Sequence, residues 1–161
     1  MQVPQIRTAA PTDAEGITRV YMESAEHHAR IDPERCYLPD PKLIETRYRE
    51  GKQHPDSGLP TITLIAELNG QIVGFLDAQI QKPFDPMLRP LTYCFVADIA
   101  VAESHREKGI GKQLLEAAES WACEQKADHM SLLYNSGNPR VQSLYERLGY
   151  VPAAVSLTKQ L

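Results

Sequence analysis

The chain has 161 residues, of which 42% are hydrophobic and 24% are charged, and its formal net charge is −4. This length suits one domain, and the composition excludes an intrinsically disordered chain. The acidic balance argues against a nucleic-acid partner, and no stretch approaches the ~20 apolar residues of a membrane span.

The first third of the chain predicts a short strand followed by two helices. Residues 3–8 alternate as a strand does, and Thr12 or Asp13 can cap the helix that follows. That helix should end by Asp32-Pro33, because proline cannot continue it. A second short helix is expected around Leu43 to Tyr48, before a polar loop.

Two strands, residues 61–68 and 71–80, flank the dipeptide Asn69-Gly70, which is a strong signal for a tight hairpin. Prolines interrupt residues 82–90, and a further strand is predicted from Leu91 to Val101. A long helix starting near Ile110 then presents one apolar face.

The last third predicts a strand over residues 129–134, a helix over 138–148 that ends at Gly149, and a final strand over 150–158. The strand–helix–strand unit within residues 91–134 should be parallel and right-handed, whereas the hairpin is antiparallel. The sequence therefore predicts a mixed α/β sheet with helices on both faces.

The segment from Val101 to Lys112 joins a strand to a helix through a polar turn with two glycines. A helix N-terminus offers unpaired amides and partial positive charge, and glycine lets an anion approach the backbone closely. The segment fits neither the P-loop pattern nor the dinucleotide GxGxxG pattern. It predicts a phosphate or pyrophosphate site, and a plain glycine-containing helix start is the alternative left open.

Two motifs in this part of the chain resemble those of the GNAT N-acetyltransferases. Arg106-Glu-Lys-Gly-Ile-Gly111 is similar to the family signature Gln/Arg-x-x-Gly-x-Gly/Ala, and Asp98-Ile-Ala-Val101 looks like its fourth strand. The segment Asn138-Pro-Arg-Val-Gln-Ser-Leu-Tyr-Glu-Arg-Leu-Gly-Tyr150 resembles Asn-x-x-Ala-x-x-Leu-Tyr-x-x-x-Gly-Phe. Val141 stands where the family usually has alanine, which is a mild departure.

The resemblance implies an α/β (α+β) fold whose mixed, mostly antiparallel sheet has six to seven strands and a splayed parallel pair, with helices on both faces. It implies a single domain over residues 1–161, with acceptor-side helices in about 12–53 and an acetyl-CoA-binding core in about 91–150. Many relatives form homodimers, and the sequence leaves the oligomeric state open.

The function that the resemblance implies is N-acetyl transfer from acetyl-CoA to a primary amine, on a small molecule or a peptide, by direct attack in a ternary complex. The alternative is an acyl-CoA-binding regulatory module without turnover. The cosubstrate would be bound by the fourth strand, the loop, the start of the following helix and two later residues: Ile99, Ala100, Val101, Arg106, Glu107, Lys108, Gly109, Ile110, Gly111, Lys112, Asn138 and Tyr145. Asn138 could equally be a helix cap.

Tyr145 is the candidate catalytic acid, because it matches the family tyrosine that faces the thioester sulfur; a core tyrosine is the plain alternative. Asp98 on the fourth strand is the candidate base, with Glu67 and a water relay as rivals. The fifth strand has Leu132, Leu133 and Tyr134 where some relatives carry a catalytic glutamate.

The acceptor pocket is implied to lie between Tyr21 and Tyr48, where Glu26, His27 or Asp32 could receive a cationic acceptor; a solvated helix face is the alternative. Residues 82–90 could form a lid or a stiffened loop. His27 and His28 point in different directions on a helix, so no metal site is predicted. Three widely spaced cysteines form neither a metal pair nor a disulfide framework, and residues 1–10 have no apolar signal core, which favours a cytoplasmic protein.

Overall fold

The structure is a computed structural model that describes residues 3–52, 54, 57–83, 85–135 and 138–159. Five strands and four α-helices are present in these residues, with 3₁₀ turns at Pro11–Asp13 and Glu103–His105. In chain order they are β1 (Gln5–Thr8), α1 (Ala14–Ile31), α2 (Pro41–Arg49), β2 (Thr61–Leu68), β3 (Gln71–Gln81), β4 (Tyr93–Val101), α3 (Ile110–Glu124), β5 (His129–Leu132) and α4 (Pro139–Arg147).

The strands form one mixed sheet in the order β1-β2-β3-β4-β5. The first three pairings are antiparallel and the β4–β5 pairing is parallel. The predicted hairpin is confirmed, because β2 and β3 are joined by Asn69 and Gly70, both with positive φ, at 52° and 75°. This turn geometry matches the twist of the paired strands.

The helices begin where the sequence supplies the chemistry for it. The Asp40 carboxylate accepts a hydrogen bond from the Lys42 amide at 2.9 Å, and Pro41 occupies the first turn of α2. Gly149 follows α4 with a φ of 88°, as a left-handed cap requires. None of the helices within the described ranges combines the length and apolarity needed to cross a bilayer.

Apolar side chains are buried on both faces of the sheet. Ile17 and Val20 of α1 and Ile44 of α2 pack with Phe75 on one face. Leu114 and Ala118 of α3 pack with a second cluster of strand residues on the other face, which Tyr145 of α4 also joins. Helices α1 and α2 therefore lie on the opposite side of the sheet from α3, the helix that follows the glycine loop.

The prediction of a final strand over residues 150–158 is wrong, and the sheet has five strands in the described part of the chain rather than six to seven. Residues 150–159 adopt no regular structure, and Val151, Val155 and Leu157 are 81%, 81% and 90% exposed. The segment has the alternation of a strand, but a strand forms only where a neighbouring backbone supplies hydrogen bonds. Strand β5 has only four residues and pairs with β4 alone.

Candidate active site

Strands β4 and β5 run side by side for only part of their length. Their register starts at the Tyr93–His129 pair and ends at the Val96–Leu132 pair, whereas β4 continues to Val101. The predicted splayed parallel pair is therefore confirmed. Beyond the Val96–Leu132 pair, no described residue of β5 pairs with Ile99, Ala100 or Val101, and the Val101 carbonyl accepts from Arg106 instead. An extended ligand chain can lie beside this part of β4 as an additional strand would.

The loop between β4 and α3 presents backbone amides at the same end of the sheet. Glu107 and Gly109 both have positive φ, at 66° and 79°, and Gly109 is the N-cap of α3. No side chain caps the first turn of α3, so its amides remain available to a ligand. Left-handed residues beside a helix N-terminus form a concave anion site.

The basic side chains of the loop are partly engaged by the protein itself. Arg106 Nε donates to the Val101 carbonyl at 3.1 Å, and Lys108 Nζ donates to the Ser104 carbonyl at 2.8 Å. Lys112 Nζ lies 3.5 Å from a carboxylate oxygen of Glu116 on the same helix. Arg106 thereby fixes the loop to the end of β4, while the charges of all three residues stay near the amides.

Two carboxylates, the buried Asp77 and the half-buried Asp98, face each other across the β3–β4 ladder. Asp98 is paired in register with Asp77, which is 3% exposed. Asp77 accepts hydrogen bonds from the Tyr48 hydroxyl at 2.5 Å and from the Thr63 hydroxyl at 2.7 Å. Burial and the charge of Asp77 raise the pKa of Asp98 to about 7, so Asp98 can take up or release a proton near neutral pH.

Tyr145 is buried on the other side of the splay. Its ring centroid lies 5.7 Å from that of Tyr150 and 6.1 Å from that of Tyr134. Burial, and then the charge of Asp98, raise the pKa of its hydroxyl. The two predicted catalytic residues are therefore close enough to interact electrostatically, and Tyr145 keeps its proton at neutral pH.

A cavity of about 360 Å³ opens on the α1–α2 face and reaches Asp98. Half of the residues that line it are apolar or aromatic: Tyr21, Ala25, Tyr37, Pro39, Leu43 and Ile44. The other half are polar: Ser24, His28, Arg35, Cys36, Arg47 and Asp98. Asp98 thus belongs to the splayed strand β4 and also lines this cavity.

A model of the acetyltransferase (GNAT) family matches residues 22–150, which include α1, the glycine loop, the splay and α4. The chain belongs to the GNAT family. The motifs that resemble this family therefore lie in the elements that form the splay and the loop.

Similar proteins have been named as N-acetyltransferases. An uncharacterized N-acetyltransferase of Bacillus subtilis, YhfO, is 34% identical over 90 residues, which are 56% of this chain and 58% of that protein. An aminoglycoside N(6')-acetyltransferase type 1 of Salmonella typhimurium is 27% identical over 88 residues, 55% of this chain and 61% of that protein. The alignments thus span about three fifths of the length of these curated relatives.

Solved structures share the fold over nearly the whole chain. A mutant BH1408 protein from Bacillus halodurans has a TM-score of 0.86 at 21% identity, covering 98% of this chain and 99% of that one. The aminoglycoside acetyltransferase AAC(6')-Iy, in complex with a CoA bisubstrate analog, has a TM-score of 0.73 at 21% identity, with 99% of each chain covered. At these identities the likeness shows the GNAT fold.

The residues that line the cavity of this GNAT domain differ from those predicted to receive the acceptor. The described lining residues include Ser24, Ala25 and His28 of α1, but not Glu26, His27 or Asp32. The Asp32 carboxylate instead accepts from Arg35 at 3.1 Å and from the Asn135 amide at 2.9 Å. Described residues of the 82–90 segment, the predicted lid, do not line the cavity either.

Two further candidates have structural partners. Glu67 is held in an ion pair with Arg7 at 2.7 Å, on a strand two positions from β4, and Arg7 also pairs with Asp13. The Asn138 side chain accepts from the Val141 amide at 3.3 Å, which is the helix-cap arrangement. Its proposed contact with the cosubstrate remains a prediction.

The residue that sequence reasoning missed is Asp77. It is the single charged residue of the apolar stretch from Ile72 to Ile80, and an ionisable side chain inside a buried strand is a signal for a functional site. Within the described parts of this GNAT chain, no three His, Cys, Asp or Glu side chains are grouped so that they could hold a metal ion.

Proposed function

We propose that this GNAT protein is an acyl-CoA-dependent N-acetyltransferase that moves an acetyl group from acetyl-CoA to a primary amine by direct attack in a ternary complex. The observation that carries the proposal is the splay of β4 from β5 beyond Val96. The loop that presents amides follows the end of β4, and Asp98 on the same strand acts electrostatically on Tyr145. Relatives named as N-acetyltransferases support it.

The cosubstrate would be bound by backbone groups of the protein more than by side chains. The pyrophosphate binds the amides of residues 106–112, where the left-handed residues and the start of α3 favour an anion. The pantetheine arm lies along Ile99–Val101, beyond the last β4–β5 pair, and Asn138 contacts the same arm. A neighbouring fold with CoA bound, AAC(6')-Iy, supports this cosubstrate.

The reaction requires a neutral amine, and a free alkyl ammonium has a pKa of about 10.4, so the acceptor first releases one proton to solvent and binds as the neutral amine. As the amine nitrogen attacks the thioester carbonyl, it becomes acidic and Asp98 accepts its proton. Because the pKa of Asp98 is raised to about 7, the carboxylate is present at slightly alkaline pH and is a stronger base than an ordinary aspartate.

The tetrahedral intermediate then collapses, the carbon–sulfur bond breaks, and the CoA sulfur takes a proton from the Tyr145 hydroxyl. The leaving thiolate has a pKa near 8.5, so this proton transfer favours its departure. The Tyr145 phenolate regains a proton from the site, which Asp98 holds after the attack. The products are an N-acetyl amine and CoA, and the protein returns to its starting protonation state.

Thiol release in the presence of acetyl-CoA and a panel of amines tests this proposal. Asp98→Asn should lower kcat by about 10²-fold or more, and Tyr145→Phe should lower it by about tenfold or more, with acetyl-CoA binding by calorimetry unchanged in both. Glu67→Gln, which removes the rival base, should keep its turnover. Binding without thiol release from any amine would favour a regulatory acyl-CoA module, and absence of binding would reject both.

A further inference from the structure

We infer that the acceptor is a small monoamine with an aromatic or aliphatic body, and that a second ammonium group on the acceptor is disfavoured. This inference rests on the proposed transfer reaction and concerns the cavity on the α1–α2 face that ends at Asp98. It is carried by two properties of the described lining residues, the distribution of apolar surface and the distribution of charge.

Apolar surface extends from the floor of the cavity to its mouth. Ile44 is 2% exposed, whereas Leu43 and Tyr37 are 56% and 81% exposed. The Tyr21 ring is held by stacking on Phe75, with centroids 6.2 Å apart. A ligand that carries apolar carbon covers these exposed side chains, which would otherwise remain in water.

The charge of the same walls does not suit a polycation. Asp98 is the only carboxylate among the described lining residues, and Arg35 and Arg47 supply two guanidiniums. The Asp32 carboxylate, just outside the cavity, is already engaged by Arg35 and Asn135. The reacting amine uses Asp98, and the Asp32 carboxylate is paired with Arg35, so a second ammonium would lose its hydration in the cavity without finding a free carboxylate among the described lining residues.

His28 contributes no negative charge and little positive charge to this balance. Burial, and then the nearby His27 and Arg106, lower the pKa of its ring, so His28 is neutral at the pH of the reaction. Aminoglycosides carry several ammonium groups, so the cavity of this chain differs in charge from one that would bind such an acceptor.

A pair of amines with equal numbers of heavy atoms tests the inference directly. Hexylamine and 1,5-diaminopentane differ by the exchange of a terminal methyl group for an ammonium group. We expect kcat/KM for hexylamine to exceed that for the diamine by tenfold or more, and 2-phenylethylamine to be acetylated at least as well as hexylamine. Neamine should be a poor acceptor at the same concentrations.

Two variants separate a cavity effect from a general preference for apolar amines. Leu43→Glu places a carboxylate at the mouth of the cavity. It should reduce the ratio of kcat/KM for hexylamine to kcat/KM for 1,5-diaminopentane to about threefold or less. Leu88→Glu introduces the same change at a leucine that is 58% exposed, against 56% for Leu43, and does not line the cavity, so it should leave the ratio unchanged.

Preference of the wild type for the diamine or for neamine would overturn this inference while leaving acetyl transfer intact. An unchanged ratio in Leu43→Glu would also overturn it, because the mouth of the cavity would then not be where the second group lies. Binding of acetyl-CoA without turnover of any amine would instead reject the proposed function, and the inference with it.

Discussion

Asp98 lies next to Asp77 because the β3–β4 register pairs the two residues directly, on the face of the sheet that α1 and α2 cover. Like charges at this separation oppose each other, so at least one of the two carboxyls holds a proton more strongly than an isolated aspartate does. Asp77 is fixed by the Tyr48 and Thr63 hydroxyls, which leaves Asp98 as the residue that faces the cavity.

This pair leads to a prediction about the pH dependence of turnover. Loss of activity at acidic pH should follow the protonation of Asp98, with a limb near pH 7 in kcat/KM expressed per concentration of neutral amine. Asp77→Asn removes a neighbouring negative charge and keeps groups that can hydrogen-bond Tyr48 and Thr63, so the limb should move to lower pH by about one unit. The profiles are measured by thiol release across pH 5 to 9.

The exposed Asp85 provides the control, since Asp85→Asn changes charge equally without facing the cavity. Its acidic limb should coincide with that of the wild type. A limb that stays near pH 7 in Asp77→Asn would show that Asp77 does not set the proton affinity of the base.

At the scale of elements, the junction between β4 and α3 depends on the left-handed conformation of Gly109. Any other residue at a φ of 79° is strained by about 1–2 kcal/mol. A Cβ at this position would meet no atom of the protein within 4 Å, so a side chain here would clash only with a bound ligand. Under the proposed function, the glycine serves both the backbone conformation and the access of the pyrophosphate to the amides.

Gly109→Ala should consequently weaken CoA binding by about tenfold, or ~1.4 kcal/mol, as measured by calorimetry. Gly51→Ala is a matched control, because Gly51 has a φ of 65° and equally open surroundings but lies after α2. Both variants should lose similar unfolding free energy, and Gly51→Ala should bind CoA as the wild type does. Equal losses of CoA affinity in the two variants would contradict a role for the loop.

Elements whose signals are local could be predicted from the sequence. The hairpin at Asn69-Gly70, the helix start near Ile110 and the left-handed cap at Gly149 each follow from the residues at that position. The failed strand over residues 150–158 has the right alternation as well, but its formation depends on a free sheet edge elsewhere in the chain. That condition cannot be read from the segment itself.

The same distinction explains which site residues were predicted. Asp98 and the loop residues lie in contiguous motifs, whereas Asp77 becomes significant only through the β3–β4 register. That register follows a connection of eleven residues, 82–92, and contains an irregularity between Asp77 and Ala78. A shift of one residue would turn Asp77 to the opposite face, so its pairing with Asp98 was not available from spacing.

At the scale of the whole molecule, the sheet separates two apolar clusters. In the proposed reaction, groups from both faces of the sheet meet at the splay between β4 and β5. The cavity that Asp98 lines lies with α1 and α2, and Tyr145 packs with the cluster that contains α3. A second copy of the chain would cover exposed apolar side chains of the C-terminal segment, such as Val155 and Leu157, and analytical ultracentrifugation would test this oligomeric state, which the sequence leaves open.

The free energy of unfolding should depend on the ionisation of Asp98, because its raised pKa means that folding favours the protonated form. Between about pH 4 and pH 7 the folded state holds a proton that the unfolded chain releases, so this group lowers the unfolding free energy as pH rises. The lowered pKa values of His28 and His54 act in the opposite direction over part of that range, which makes a difference between variants the appropriate measurement.

Asp98→Asn should therefore be more stable than the wild type at both pH 5 and pH 8, and its gain should grow by on the order of 2–3 kcal/mol between the two pH values. Urea unfolding at both pH values measures the gain, and Glu34→Gln, which neutralises an exposed carboxylate, should show no such change between them. A wild type that is more stable than Asp98→Asn at pH 8 would mean that the charged carboxylate is favoured by the fold. In that case the proton affinity on which the proposed base depends would not be raised.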